Sequence, residues 1–183
     1  FGSHHLNADG AIQITGSHNP KNYNGFKMMI KNEPFFGKDI QNLGIKAKSG
    51  SNINMNGTIE SLDLDEKYIE QILMPLSNSK NLKDKKIVWD CGNGATGDII
   101  NKIVKLLPCE NTVLYSKIDG NFPNHHPDPS NENNLVKLKQ EVKRQHADFG
   151  FAFDGDGDRV GIVNNKLELI AGDILTTFLA QSI

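Results

Sequence analysis

Residues 147–163 read A-D-F-G-F-A-F-D-G-D-G-D-R-V-G-I-V, and this stretch decides the fold. The short apolar run 149–153 has the length of a strand and is followed by a glycine-rich turn. Asp154, Asp156 and Asp158 occupy every second position directly after that strand. Open α/β sheets bind ligands at the carboxyl ends of their strands, so this position predicts a functional loop.

The residues on either side of this stretch alternate between strand and helix patterns. We predict, in chain order, strand 87–90, helix 96–107, strand 112–116, helix 135–145 and strand 149–153. This alternation is typical of a parallel α/β domain with right-handed crossovers. Further along, the sequence predicts a hairpin over 161–163 and 167–170, turning at Asn164 and Asn165, and a helix over 173–182.

The N-terminal part has a different organisation. It is expected to contain strands over 11–15 and 26–30, joined by an exposed polar loop, and helices over 38–47 and 62–76. Alternation of apolar and polar residues over 11–15 predicts a strand with one buried face. The polar stretch 77–86 predicts a domain boundary. The fold class is therefore α/β, with the end of a first mixed α/β domain followed by a second α/β domain that has a largely parallel sheet.

Composition narrows the range of functions. The chain has 20 Lys and Arg against 22 Asp and Glu, a formal charge of −2, so nothing favours nucleic acid or an anionic membrane as a partner. The two cysteines, Cys91 and Cys109, form no C-x-x-C motif and accompany no His cluster, which predicts reduced thiols in a cytoplasmic protein. No apolar run approaches the ~20 residues that cross a bilayer. The expected partner is a small molecule or another piece of protein.

The three aspartates predict a metal site. Carboxylates separated only by glycines repel one another when bare, and an all-oxygen ligand set selects a hard cation. A calcium-binding EF-hand loop is excluded because it requires Gly at its sixth position and Glu at its twelfth, where this chain has Arg159 and Asn165. The plain alternative is a solvated acidic turn without an ion. Position at the end of a strand favours metal, and Mg²⁺ in particular.

A second candidate loop reads T-G-S-H-N-P at 15–20 and places Ser17 beside His18 and Asn19. An acyl-transfer serine is not favoured, because no G-x-S-x-G is present and adjacent side chains in a strand-like loop tend to point apart. On that reasoning His18 is badly placed to take the proton of Ser17. The plain alternative is a turn serine that bonds to local backbone.

Taken together, the two loops are much more specific than either alone. T-G-S-H-N-P at 15–20, N-Y-N-G-F-K at 22–27 and D-G-D-G-D-R at 154–159 resemble the α-D-phosphohexomutase family, most closely its bacterial phosphomannomutase/phosphoglucomutase branch. Further agreement lies in I-V-W-D-C-G-N-G-A-T-G at 87–97 and F-P-N-H-H-P-D-P-S-N-E-N-N-L at 122–135. The resemblance implies three domain parts: 1–80 from domain I, 81–170 as domain II, and 171–183 as the start of domain III.

The resemblance also implies a role for individual residues. Ser17 matches the serine that carries the phosphoryl group, and with Asp154, Asp156 and Asp158 it forms the Mg²⁺ site. The other implied site residues are His18 and Asn19, which line the phosphoserine; Lys27, the basic residue near the transferred proton; and Arg159, which faces phosphate. For Lys27 the plain alternative is a solvated strand lysine, and for Arg159 a partner that neutralises the aspartates. The implied reaction interconverts hexose 1-phosphate and hexose 6-phosphate, of mannose or glucose, through a bisphosphorylated sugar.

Two alternatives stay open at this point. The glucosamine phosphate mutase branch has similar motifs, although it usually reads S-A-S-H-N-P in the serine loop. From a different class, Gly92, Gly94 and Gly97 fit the G-x-G-x-x-G of a dinucleotide site between a strand and a helix, with Asp119 as the acid that would bind ribose.

Two further family motifs are absent from the 183 residues, namely the sugar-recognition G-E-x-S-G-H and the phosphate-clamping R-x-S-x-T-E-P. The chain also starts at Phe1 without Met, so we expect a fragment that lacks the natural N-terminus. It would carry the phosphoryl-transfer half of the site and have negligible mutase activity in isolation.

Overall fold

The computed structural model describes residues 1–50, 56–76 and 82–181. Two compact units are present: Phe1–Thr15 with Asn24–Gln71, and Gly16–Tyr23 with Ile72–Ile183. The polar stretch predicted as a boundary lies partly outside the described residues, at 77–81. The division at 80/81 and 170/171 stays a prediction.

The first unit contains a three-stranded antiparallel sheet in the order β1-β2-β3, with Ala11 opposite Met29. Its elements are α1 (Gly2–His5), β1 (Gly10–Thr15), β2 (Gly25–Ile30), β3 (Glu33–Phe35), α2 (Lys38–Lys48) and most of α3 (Asp65–Leu73). The end of α3 from Ile72 and the 3-10 turn that follows it (Met74–Leu76) belong to the second unit. The two predicted strands and the helix from residue 38 are confirmed, whereas α1 and β3 were not predicted. Helix α3 begins three residues later than predicted, where the Asp63 carboxylate accepts a hydrogen bond from the N–H of Asp65 at 2.9 Å.

The prediction that β1 has a buried face is wrong for this chain. Ile12 is 65% exposed, Ile14 is 62% exposed, and Phe26, which pairs with Ile14 across the sheet, is 62% exposed. Alternation in the sequence indicates a face suited to burial, but it does not supply the surface that would cover it.

The second unit contains a five-stranded sheet in the order β5-β4-β6-β7-β8. Strand β4 is parallel to both β5 and β6, and β7 and β8 continue the sheet in antiparallel fashion. The elements are β4 (Lys86–Asp90), α4 (Gly97–Ile103), β5 (Glu110–Leu114), a 3-10 turn (Glu132–Leu135), α5 (Val136–Gln145), β6 (Phe149–Phe153), β7 (Val160–Asn164), β8 (Leu169–Ile170) and α6 (Gly172–Ala180). The predicted α/β class is confirmed. The sheet is mixed, because only β5, β4 and β6 are parallel and β7 and β8 are antiparallel.

The core of this unit lies between α5 and the sheet. Leu138 and Val142 of the helix are buried against Val88 and Ala152 of the strands. A Cβ on Gly150 would lie 2.8 Å from both Leu138 Cδ1 and Val142 Cγ2, so a glycine in β6 lets the helix approach closely. This packing fixes the end of β6, and with it the start of the acidic loop.

Several element boundaries differ from the prediction: β5 spans Glu110–Leu114 and not 112–116, β8 begins at Leu169 and not at 167, and α4 spans Gly97–Ile103 and not 96–107. Strand β5 ends at Leu114, two residues early, because Tyr115 has φ 53° and leaves the extended conformation. Helix α4 ends at Ile103 because the N–H of Leu106 bonds to the Ile103 carbonyl in a tighter turn. The last predicted helix is observed as α6, and residue 182 of that prediction lies outside the described range. Across the described parts of the chain, no helix combines the length and apolarity that a bilayer crossing requires.

Candidate functional site

The acidic loop begins where β6 ends. Asp154 is fully buried, Asp156 is half-buried and Asp158 is exposed, and each offers one carboxylate oxygen such that the three oxygens lie within 4.8 Å of one another. The loop is folded back by the N–H of Gly157, which donates to the Asp154 carbonyl at 3.2 Å, and by the N–H of Arg159, which donates to Asp154 Oδ1 at 3.1 Å. The alternate spacing thus does bring the three carboxylates together.

The electrostatics of this loop fit a cation. Burial raises the pKa of Asp154, the N–H of Arg159 opposes that rise, and the charges of Asp156 and Asp158 add to it. Three carboxylates at this separation are costly without a positive charge among them. An oxygen-only ligand set suits a hard divalent cation, so the acidic cluster fits a metal.

Arg159 links the acidic loop to the serine loop. Its Nε lies 3.2 Å from Asp154 Oδ2 and its Nη2 lies 2.6 Å from His18 Nδ1. Its Nη1 lies 3.6 Å from Asp128 Oδ1. Because a guanidinium only donates, His18 Nδ1 accepts this hydrogen bond and carries no proton. The fork of Arg159 therefore fixes the tautomer of His18.

The serine loop, Gly16–Tyr23, packs with the second unit. Ser17 has φ 52°, and its Oγ lies 3.1 Å from His18 Nδ1. The expectation that these adjacent side chains point apart is wrong, because the left-handed backbone at Ser17 breaks the alternation of an extended chain. Asn19 is exposed, and its N–H donates to the Gly16 carbonyl at 2.9 Å to close the turn.

Three loops meet through their backbones at this site. A Cβ on Gly155 would lie 2.2 Å from the carbonyl oxygen of Ser17 and 3.3 Å from His18 Cα. On the other side, a Cβ on Gly94 would lie 2.7 Å from the Gly155 carbonyl oxygen, and Ala95 donates its N–H to that oxygen at 2.9 Å. The serine loop is consequently in direct contact with the acidic loop, residues 154–159, and the acidic loop with the glycine loop, residues 92–97.

The glycines of the dinucleotide alternative are used for this contact. Gly94, which would face a pyrophosphate, faces the backbone of Gly155. A Cβ on Gly97 would lie 1.9 Å from the Ser116 carbonyl, so this glycine serves close packing between α4 and the turn after β5. The space that a pyrophosphate would need is filled by the protein's own chain.

Sequence reasoning missed the contribution of the loop after β5. The ring of His126 contacts the ring of His18 edge-on, with centroids 5.6 Å apart, and Asp128 lies beside Arg159. The pKa of Asp128 lies below its ordinary value, chiefly because the Ser130 hydroxyl donates a hydrogen bond to its carboxylate. Burial opposes this effect, and the positive charge of Arg159 adds to it. The signal in the sequence was the run F-P-N-H-H-P-D-P at 122–129, which agrees with the family resemblance but was given no role at the site.

One predicted site residue, Lys27, and one residue predicted only as a reduced thiol, Cys91, are not part of these contacts. Lys27 is an exposed residue of β2 in the first unit, opposite Gln13, and its assigned role stays a prediction. Cys91 follows β4, is fully buried and has a pKa raised to about 11 by burial, so its thiol is protonated and is no nucleophile at neutral pH. Both cysteines are free thiols.

Fold and site together define an α/β protein in which a serine loop and a carboxylate loop meet at the carboxyl end of a parallel sheet. Domain II of the phosphoglucomutase/phosphomannomutase family, an alpha/beta/alpha domain, matches residues 66–167, and domain I of the same family matches residues 1–52. Since the domain II match alone spans more than half of the chain, the chain belongs to the phosphoglucomutase/phosphomannomutase family.

Individual relatives agree with this assignment. A phosphomannomutase/phosphoglucomutase of Pseudomonas putida is 41% identical over 94% of this chain and 36% of its own length. A phosphoglucomutase of Neisseria gonorrhoeae is 40% identical over 94% of this chain and 37% of its own length. A crystal structure of a family protein from Burkholderia thailandensis matches with a TM-score of 0.86 at 38% identity, covering 96% of this chain and 38% of that one. The chain thus spans little more than a third of the length of these relatives, and they give no support to the dinucleotide alternative.

Proposed function

We propose that the whole protein is a phosphohexomutase that interconverts the 1-phosphate and 6-phosphate of mannose, glucose or both, and that this chain carries its phosphoryl-transfer half. The observation that carries the proposal is the contact between the Ser17 backbone and Gly155 of the acidic loop. It brings the serine next to a carboxylate cluster that fits a divalent cation. Transfer of a phosphoryl group needs alignment and charge stabilisation more than covalent chemistry from the protein.

The proposed metal is Mg²⁺, held by Asp154, Asp156 and Asp158 and by an oxygen on Ser17. When bound, Mg²⁺ supplies positive charge that offsets the aspartates and the nearly two negative charges of phosphoserine. Ca²⁺ accommodates more protein ligands than this cluster offers, whereas Mg²⁺ accepts few when phosphate and water complete its shell.

We assign the proton transfers and phosphate binding of the two half-reactions to individual residues. In the first half-reaction, the bond from phosphorus to Ser17 Oγ breaks and a bond to a free hydroxyl of the hexose phosphate forms. The hydroxyl gives its proton to Lys27, the proposed acceptor, and the leaving Ser17 Oγ takes up a proton from solvent. In the return step, Ser17 Oγ attacks the other phosphate of the bisphosphorylated sugar and loses its proton to solvent, while the sugar oxygen that leaves takes a proton back from Lys27. His18 Nδ1 lies 3.1 Å from Ser17 Oγ but already accepts a hydrogen bond from Arg159, so His18 lines the serine and does not take its proton. Arg159 and Asn19 bind phosphate oxygens. The free thiols support a reducing, cytoplasmic location.

Intact-mass analysis tests this function directly. Full-length protein treated with glucose 1,6-bisphosphate and Mg²⁺ should gain ~80 Da, one phosphate, and peptide mapping should place it on Ser17. The Ser17→Ala variant should gain nothing. Stable phosphate on another residue of the wild type would rule the mechanism out, and tight binding of NADH, followed by its fluorescence, would favour the dinucleotide alternative.

Turnover assays resolve the substrate. Mannose and glucose phosphates should be converted, and a preference for glucosamine 1-phosphate would instead place the protein in the glucosamine phosphate branch. The 183-residue chain alone should show negligible turnover, because it lacks the motifs that bind the sugar and its distal phosphate.

A further inference from the structure

A buried charged pair lies under the loop that contacts the site. Asp90 is the last residue of β4 and is 0% exposed. Its carboxylate accepts a hydrogen bond from the N–H of Gly92 at 2.9 Å, and both of its oxygens lie 3.0 Å from Nε2 of His125. The His125 side chain is only 12% exposed. Nothing in the proposed mechanism uses either residue.

The contacts of the His125 ring determine its protonation. Its Nε2 faces a carboxylate, and its Nδ1 lies 3.0 Å from the carbonyl oxygen of His126. A carboxylate and a carbonyl oxygen both accept hydrogen bonds, so this geometry favours donation from both ring nitrogens, which is the imidazolium form. The hydrogen bond to Asp90 raises the pKa of His125 in agreement, although burial opposes the rise. The His125 ring also lies edge-on to the ring of Tyr115, with centroids 5.5 Å apart.

Asp90 and His125 anchor loop 124–128 to the end of β4. His125 donates to the backbone of His126, whose carbonyl also accepts the N–H of Asp128 at 2.9 Å. Pro127 is buried, and a Cβ on Gly92 would lie 3.1 Å from it. At the start of the loop, the Asn124 amide donates to Asn93 at 2.7 Å. The conformation of the loop thus depends on its contacts with the end of β4.

The same loop reaches the phosphoryl-transfer residues from its other side. His126 contacts the ring of His18, and Asp128 lies 3.6 Å from Arg159. His18 and Arg159 are themselves joined at 2.6 Å, and His18 lies 3.1 Å from Ser17 Oγ. A continuous series of contacts therefore runs from the buried Asp90 to the serine hydroxyl.

We propose that Asp90 and His125 are positioning residues for phosphoryl transfer, because they fix loop 124–128 so that His126 and Asp128 hold His18 and Arg159 in place at Ser17. The inference rests on the proposed function, because the pair acts on phosphoryl transfer only by positioning His18 and Arg159. If His125 loses its proton, its Nδ1 can no longer donate to the His126 carbonyl, and the loop loses this contact.

The test uses the full-length protein with His125→Gln and Asp90→Asn. We expect the single-turnover rate of Ser17 phosphorylation by glucose 1,6-bisphosphate to fall about 10-fold or more, because small displacements of aligned groups are costly in rate, while KM for the sugar changes little. In the wild type this rate should decline on the alkaline side as His125 deprotonates, and His125→Gln should abolish that limb. His146→Asn, at the exposed left-handed end of α5, is the matched control and should react at the wild-type rate.

Ring-nitrogen NMR keeps the test independent of variant folding. In the wild type, both ring nitrogens of His125 should be protonated at neutral pH, and its titration should shift the ring signals of His126 and His18. A neutral His125 ring, or variants that retain both the wild-type rate and its pH profile, would overturn the inference. Absence of phosphate on Ser17 in the wild type would instead contradict the proposed function, and the NMR titration would still decide whether the pair controls the loop.

Discussion

Gly155 and Ser17, far apart in the sequence, are in backbone contact: a Cβ at position 155 would lie 2.2 Å from the Ser17 carbonyl oxygen. A side chain at 155 is therefore excluded by main chain, which cannot swing aside as a flexible side chain can. The separation between the serine loop and the carboxylates is set by this approach.

Gly155→Ala should destabilise the protein by about 1–3 kcal/mol, since the added methyl group overlaps the Ser17 carbonyl. Phosphorylation of Ser17 should also slow, because the loops must separate. Gly172→Ala is the control: no atom lies within 4 Å of a Cβ there, and in the first turn of α6 the change should stabilise by up to about 1 kcal/mol. Urea unfolding measures both, and equal effects of the two substitutions would contradict the assignment.

Asp158→Asn should weaken Mg²⁺ binding about tenfold or more, equivalent to about 1.4 kcal/mol. Without metal, the same variant should be no less stable than the wild type, because it removes one of three mutually repelling carboxylates. Thermal unfolding with and without Mg²⁺ separates the two effects, because Mg²⁺ raises the unfolding temperature only of a protein that binds it. A wild-type response of Asp158→Asn to Mg²⁺ would show that Asp158 is no ligand.

Stability should depend on pH through His125. Its folded-state pKa is raised above the ordinary value of 6.5, chiefly by the hydrogen bond to Asp90. The contribution of the pair is thus fully present below about pH 6.5 and is lost as pH rises through the folded-state pKa. The difference in unfolding free energy between wild type and His125→Gln should shrink across that range. A difference that stays constant with pH would exclude the imidazolium.

Arg159→Lys should lower the rate of Ser17 phosphorylation about 10- to 100-fold although the charge is kept. Arg159 reaches Asp154, His18 and Asp128 from three different nitrogens, and a lysine has one. Its side chain is 41% exposed, so folding should change little. Arg144→Lys on the surface of α5, where Arg144 pairs with Glu141, should retain the wild-type rate. Stopped-flow or quench-flow phosphorylation compares the two variants.

Much of the fold follows from local pattern. Strand β6 was predicted with its observed bounds because an apolar run between turn residues has few alternatives. The acidic loop was predicted as a metal site because alternate aspartates must converge once glycines fold the chain back. By contrast, the end of β5 depends on the positive φ of Tyr115, which no periodicity reveals.

The candidate site was less accessible to sequence reasoning. The Ser17 to His18 contact depends on a left-handed backbone at a serine, against the general preference of that residue type. The role of loop 124–128 depends on contacts with residues more than 30 positions away, such as His125 with Asp90. Such contacts arise because the tertiary fold places the loop beside the end of β4. The spacing of residues within the loop does not reveal them.

The left-handed conformation of Ser17, φ 52°, limits which amino acid could take the role of phosphate carrier proposed for this position. Threonine offers the same hydroxyl chemistry, but its branched Cβ makes a positive φ unfavourable. Replacing Ser17 with threonine would keep a hydroxyl nucleophile but would strain the backbone that positions it. Of the two aliphatic alcohols among the amino acids, the turn accepts only the unbranched one.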